Sequence, residues 1–125
     1  MEGRVVEGVV TPGRQIGQTI GFPTANIPLQ EGLCEPGVYH TQVQVEGDER
    51  RYEAMSNVGW NPSVGGQELR LESHLFGFEG SLYGRRIRVT LMEKIRDERR
   101  FDSVEELRLQ LVADRKQILH MLENK

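Results

Sequence analysis

This chain has little with which to build a disulfide-braced, membrane-spanning or polyanion-binding protein. Its 125 residues include a single cysteine, Cys34, so no internal disulfide can form and a reducing compartment is the natural setting. It sits in Gly32-Leu33-Cys34-Glu35-Pro36 without a nearby Cys/His cluster and reads as a bystander. No apolar run approaches the roughly 20 residues that a spanning helix needs. The opening MEGRVVEGVV has neither the apolar core nor the cleavage site of a signal peptide. A cytoplasmic protein that does not engage a membrane is expected. An excess of one charge is missing too. Sixteen Lys and Arg against nineteen Asp and Glu leave a net charge of −3, which is no footprint for nucleic acid. One Trp, three Tyr and four Phe leave few rings for stacking on a single strand. No glycine is followed by Lys-Ser or Lys-Thr, so the Walker A phosphate loop is absent.

Glycine, in contrast, is plentiful. Gly8, Gly13, Gly17 and Gly21 punctuate the stretch GVVTPGRQIGQTIGFPTAN, which ends in Phe22-Pro23-Thr24-Ala25-Asn26. Spaced glycines suit a loop whose N–H groups wrap an anion. Pro23 fixes its own φ and biases Phe22 toward extended backbone. Extended backbone through Thr24 to Asn26 points the Thr24 hydroxyl and the Asn26 amide the same way. Two readings follow from the spacing. One is a cradle for a nucleotide phosphate and its Mg²⁺; the other is a Gly-rich hairpin with turn-forming Thr and Asn.

The rest of the chain alternates and then changes period. Val-rich Arg4 to Thr11 predicts a first strand stopped by Pro12-Gly13. GVYHTQVQV from Gly37 to Val45 predicts a half-buried strand with Tyr39, Thr41, Val43 and Val45 inward. Arg51 to Val58 is its partner, stopped by Gly59 and Asn61-Pro62. In Glu68 to Phe76, Leu69, Leu71 and Leu75 share one face, and Arg70, Glu72, His74 and Phe76 the other. Arg85 to Arg96 alternates with Ile87, Val89, Leu91 and Ile95 inward. Ser103 and Glu106 then form a capping-box signature, and Val104, Leu107, Leu111, Ile118 and Leu122 make a helical stripe that only Asp114 interrupts. This pattern predicts one mainly β domain over residues 1–125, a small antiparallel barrel with a packed C-terminal helix.

Chemistry-bearing residues are few. Glu72 is the candidate base, since a strand holds it opposite the leucines on a rigid element; the competing reading is a solvated glutamate paired across strands. His74 shares its face and reads as a positioning or surface residue. Arg96-Asp97-Glu98-Arg99-Arg100 is a mixed charge run of the kind that forms solvated turns. Trp60 suits either a ring-binding pocket or a cap on the core.

Taken in order, these segments resemble one family. Gly21-Phe22-Pro23-Thr24-Ala25-Asn26 with Gly8, Val10 and Gly13 before it, then Gly37-Val38-Tyr39, Asn57-Val58-Gly59-Trp60-Asn61-Pro62, Glu72-Ser73-His74, Leu82-Tyr83-Gly84 and Arg96…Phe101-Asp102-Ser103…Leu107…Asp114, resemble the riboflavin kinase (flavokinase) domain. The likeness runs from about residue 5 to residue 122. It implies a six-stranded antiparallel Greek-key β-barrel with a C-terminal α-helix packed against it. It also implies conversion of riboflavin and ATP to FMN and ADP with a divalent metal, Mg²⁺; a monomeric or weakly associating enzyme is expected, and the charge balance leaves nucleic acid out. Thr24 and Asn26 match the family's metal- and phosphate-binding pair, Gly13, Gln18 and Gly21 lie in its ATP loop, and Glu72 matches its catalytic carboxylate. Arg96 and Phe101 match the side that closes over the flavin. Three positions depart from the pattern: Gln18 replaces a basic residue, Gly77 an Asp or Asn, and Ser63 a Thr. Losing a charge-assisted contact at Gln18 costs about 1.5–3 kcal/mol unless Arg14 replaces it. That loss keeps open a second reading, a non-catalytic flavin- or nucleotide-binding regulatory domain. No nucleotidyltransferase domain precedes the barrel in this sequence, so FAD formation is not expected of it.

Overall fold

The computed structural model describes residues 4–11, 23–30, 32–63 and 65–124. Among these are six strands and one long helix: β1 (Val5–Val9), β2 (Ala25–Pro28), β3 (Gly37–Val45), β4 (Arg51–Ser63), β5 (Gly66–Leu75), β6 (Arg86–Arg96) and α1 (Val104–Glu123). The sheet order is β1-β6-β3-β4-β5-β2, and every pair is antiparallel. Thr11 bridges Asn26 across the remaining gap, with the Thr11 N–H donating to the Asn26 carbonyl at 2.8 Å. The result is a nearly closed barrel with an external helix, as the alternation predicts.

Period-2 alternation fills the interior. Val6, Ile27, Val43, Ala54, Val58, Leu71, Ile87 and Val89 form its buried centre. Three hydroxyls share that interior. Thr41 and Ser56 lie 2.7 Å apart and Ser56 and Ser73 2.6 Å apart, so these buried polar groups satisfy one another. Closure depends on Gly8. A Cβ there would lie 3.2 Å from the Ile27 Cβ, close enough that Ile27 or β1 must give by a few tenths of an ångström. Gly8→Ala is therefore expected to force β1 away from β2 and cost about 1–3 kcal/mol. Urea unfolding checks this, and an unchanged midpoint would mean that β1 yields without loss.

Two strands differ from the sequence expectation. β4 does not stop at Gly59 but pairs with β5 as far as Ser63↔Gly66. Ladder pairing carries the backbone through Gly59, and the reversal comes at Gly65 and Gly66, with φ of 86° and 151°, values that suit glycine alone. In β6 the pairing with β3 shifts register twice, between Val38 and Tyr39 and between His40 and Thr41. Each extra residue flips the parity beyond it. Ile95 therefore leaves the barrel interior and joins a second cluster, under the helix, with Val38, Met55, Phe76, Leu111, Ile118 and Leu122. That cluster also buries Val38 and His40 on the outer face of β3, so the first half of this strand is covered on both sides.

Half of the capping box forms as expected at the helix start, while the Glu106 carboxylate reaches one residue beyond the cap. The Ser103 Oγ accepts from the Glu106 N–H at 3.1 Å, and Glu106 accepts from the Asp102 N–H at 3.0 Å. Glu105 and Glu106 in the first turn also suit the helix dipole. Val104 is 53 % exposed and lies outside the seam, because the chain is still approaching the barrel at that point. Asp114, the break in the apolar stripe, is 1 % exposed. The Arg96 guanidinium takes it in a two-pronged pair, Nε to Oδ1 at 3.0 Å and Nη2 to Oδ2 at 2.9 Å, while Gln110 donates at 2.9 Å. A fork of two parallel bonds supplies direction as well as energy, and it fastens the helix to the end of β6.

Candidate active site

Asn26, Glu72 and Asn57 occupy one row across three adjacent strands, Asn26 opposite Glu72 and Glu72 opposite Asn57. Directly opposed residues hold their Cβ atoms about 4.5–5.5 Å apart. The neighbouring row, Ile27, Leu71 and Val58, is buried in the barrel, so alternation places the polar row on the outer face. Glu72 and Asn57 are half-buried. Asn26 is 0 % exposed, and its Oδ1 and Nδ2 both lack a hydrogen-bond partner. Leaving a buried amide unpaired costs about 1–3 kcal/mol, a penalty that a bound ligand would remove.

Beside this row a cavity of about 230 Å³ opens at one mouth of the barrel, with Val10, Thr24, Ala25, Phe78, Leu82 and Tyr83 among its walls. Its apolar and aromatic lining with a few polar groups suits a small organic ligand. Thr24 immediately precedes β2, and His74 helps to fix that approach. The His74 Nδ1 is 2.9 Å from the Pro23 carbonyl; a carbonyl only accepts, so the proton sits on Nδ1. Burial is the main cause that pushes the His74 pKa down, favouring the neutral ring. His74 thus serves to position its neighbours.

On the β4 side the connection from β6 to the helix borders the row. Phe101 packs between two guanidinium groups, with Arg96 5.8 Å and Arg99 5.2 Å from the ring centroid. The Glu98 carboxyl lies against the bare Cα of Gly59, and burial raises its pKa. Asp97 pairs with Lys94 at 2.7 Å. The charge run is therefore a folded-back connection with specific partners. Arg96 and Phe101 come together here as a unit, with Arg96 committed to Asp114.

Other candidates lie elsewhere. Trp60 lines a wide opening together with Cys34, Tyr39, Leu91 and Lys94. The Cys34 thiol is pushed up by burial, the opposite of what a nucleophile needs. Gly13, Gln18 and Gly21 lie outside the described residues. Among the described residues no group of three His, Cys, Asp or Glu side chains is placed to hold a metal. A cation at this site would take neutral protein oxygens and fill its shell with phosphate oxygens and water, as Mg²⁺ commonly does. The unpartnered Asn26 Oδ1 and the Thr24 hydroxyl fit that donor set.

The sequence marks Asn57 only as the first residue of Asn57-Val58-Gly59-Trp60-Asn61-Pro62, with no role attached to it. Its signal is register, since two strands must pair before it faces Glu72. The fold and this row give a barrel that carries one carboxylate between two amides on its outer face. Comparison with known proteins places it. The chain belongs to the riboflavin kinase family: the family model described as riboflavin kinase matches residues 3–122. It is 43% identical over 110 residues to a bifunctional riboflavin kinase/FMN adenylyltransferase of Escherichia coli, covering 87% of this chain and 35% of that protein. It is 38% identical to an RNA-binding riboflavin kinase of Bacillus subtilis, covering 88% of this chain and 47% of that one. A solved structure titled as a macrolide-efflux protein from Streptococcus pneumoniae superposes with a TM-score of 0.79 at 38% identity, covering 90% of this chain and 37% of that one. The chain thus spans about a third to a half of these relatives' lengths.

Proposed function

We propose that this domain is an ATP:riboflavin 5′-phosphotransferase, forming FMN and ADP with Mg²⁺. The observation that carries the reading is the pairing of Glu72 with a buried, unpartnered Asn26 amide. The phosphate end of the nucleotide binds at Thr24. Thr24 and Asn26 would hold the metal and the phosphate oxygens, and the bound metal would supply positive charge against the transferring phosphoryl group. Glu72 accepts the proton of the ribityl 5′-hydroxyl. The new O–P bond forms to the γ-phosphorus, its bond to the bridging oxygen breaks, and ADP leaves with that oxygen. Phosphoryl transfer rests on positioning and electrostatics, so a rigid strand is a suitable mount for the base. Arg96, held by Asp114, fixes Phe101 on the side where the flavin ring binds. The Gly13, Gln18 and Gly21 loop completes the ATP site in this proposal.

The same reading makes riboflavin and ATP the partners of a cytoplasmic monomer and leaves nucleic acid out. On the sheet's outer face Glu7 lies between Arg86 and Arg88 at 3.6 and 3.8 Å, which breaks up the basic surface that an RNA backbone requires. No helix among the described residues is long and apolar enough to cross a membrane.

Incubation with riboflavin, ATP and Mg²⁺, followed by chromatographic separation of the flavins, tests the proposal. FMN that forms only with all three present is the expected result. Flavin binding without FMN would replace the enzyme with a regulatory binder, and FAD would add an adenylyl transfer that the proposal excludes.

A further inference from the structure

The row across β2, β5 and β4 has a direction, and that direction gives Asn57 a role. In-line phosphoryl transfer puts the leaving group and the attacking oxygen on opposite sides of the phosphorus. In the phosphotransferase reading, on which this inference rests, the nucleotide end lies at Thr24 and Asn26, at the β2 end of the row. Glu72 is one strand further across and Asn57 two, each step about 4.8 Å. The acceptor must then approach over β4, on the far side of Glu72 from the nucleotide.

The outer face of β4 is suited to this. Met55 is buried under the helix, and the next two positions on that face are Asn57 and Gly59. Across β3, Asn57 faces the buried Val38. An amide at the rim of an apolar seam is out of place as packing, because an apolar side chain would fill the position at lower desolvation cost. Gly59, with no side chain, leaves a notch beside it that the Glu98 carboxyl enters. Substrate approaching over this notch reaches Asn57 before Glu72.

We propose that Asn57 is a specificity-determining residue that grips the hydroxyl-bearing chain of the acceptor. Its amide donates to, and its carbonyl accepts from, the hydroxyl next to the one that reacts. The terminal hydroxyl is thereby set on Glu72, roughly one strand spacing away. The ligand class is a polyol chain carried on a ring system, and Asn57 distinguishes chains that bear the penultimate hydroxyl from chains that do not.

Steady-state kinetics with riboflavin and with an analogue lacking the penultimate side-chain hydroxyl tests this. The wild-type protein is expected to favour riboflavin in kcat/KM by about 10-fold or more, the worth of one buried hydrogen bond. Asn57→Leu should lose about that factor on riboflavin and none on the analogue, abolishing the preference. A purely structural role would depress both substrates equally, and that result, or a retained preference, overturns the proposal. Should Asn57→Leu fail to fold, Asn57→Asp decides. A carboxylate there can accept from the penultimate hydroxyl but cannot donate to it, so the kcat/KM preference for riboflavin over the analogue should shrink, and an undiminished preference overturns the proposal. A wild-type protein that forms no FMN in this assay rejects the phosphotransferase reading itself.

Discussion

Replacing Glu72 by glutamine is expected to lower kcat by about 10²-fold or more and to leave thermal unfolding unchanged. The substitution keeps size and shape on the outer face of β5, where the side chain is half-buried and contributes nothing to the Leu69, Leu71 and Leu75 core. It removes the negative charge and with it the ability to accept a proton. Positioning by the rest of the site survives, so the residual rate should stay well above the uncatalysed reaction. Riboflavin affinity should change little, because a proton acceptor contributes mainly in the transition state. The measurement is kcat and KM for riboflavin, with thermal unfolding alongside. Wild-type turnover in a folded variant would remove Glu72 from the reaction; a rise in KM alone would make it a binding residue.

The second large effect is expected at Asp114. Truncation to alanine leaves the Arg96 guanidinium, with 20% side-chain exposure, without its carboxylate and strands the Gln110 amide. Breaking a buried pair from one side costs about 3–5 kcal/mol, or roughly 10 °C or more in a domain of this size. The charge is what is left uncompensated, so Arg96→Met combined with Asp114→Leu should recover most of the loss. The fork also fixes the end of β6 next to the segment that carries Phe101, so flavin affinity should fall in Asp114→Ala beyond what instability explains. Calorimetry of the two variants, with flavin titration of each below its midpoint, checks both statements. An Asp114→Ala protein that melts with the wild type would show that the apolar seam alone holds the helix.

Much of the architecture was legible because local period is a direct consequence of burial. Leu69, Leu71 and Leu75 could only share a face if β5 was extended, and Ser103 with Glu106 marked the helix start through the hydrogen bonds that they do make. The errors arose where a neighbour overrode a local rule. Gly59 reads as a stop, yet the β5 ladder continues through it. Ile95 reads as inward, but register shifts against β3 turn it toward the helix. Asp114 reads as a flaw in an apolar stripe, and its reason is an arginine eighteen residues earlier.

The site divides in the same way. Residue order alone marked Thr24, Asn26 and Glu72 and, through the family resemblance, their chemistry, because those motifs are local strings. Asn57, Val10 and Tyr83 stand in such strings too, but that Asn57 faces Glu72, and that Val10 and Tyr83 wall one cavity, is true only after the strands pair. Composition settled the lack of an internal disulfide and of an excess of either charge, and alternation settled the mainly β class with its terminal helix. Tertiary structure decided which carboxylate faces which amide, because strand register is fixed by the packing of a whole barrel and not by any single segment.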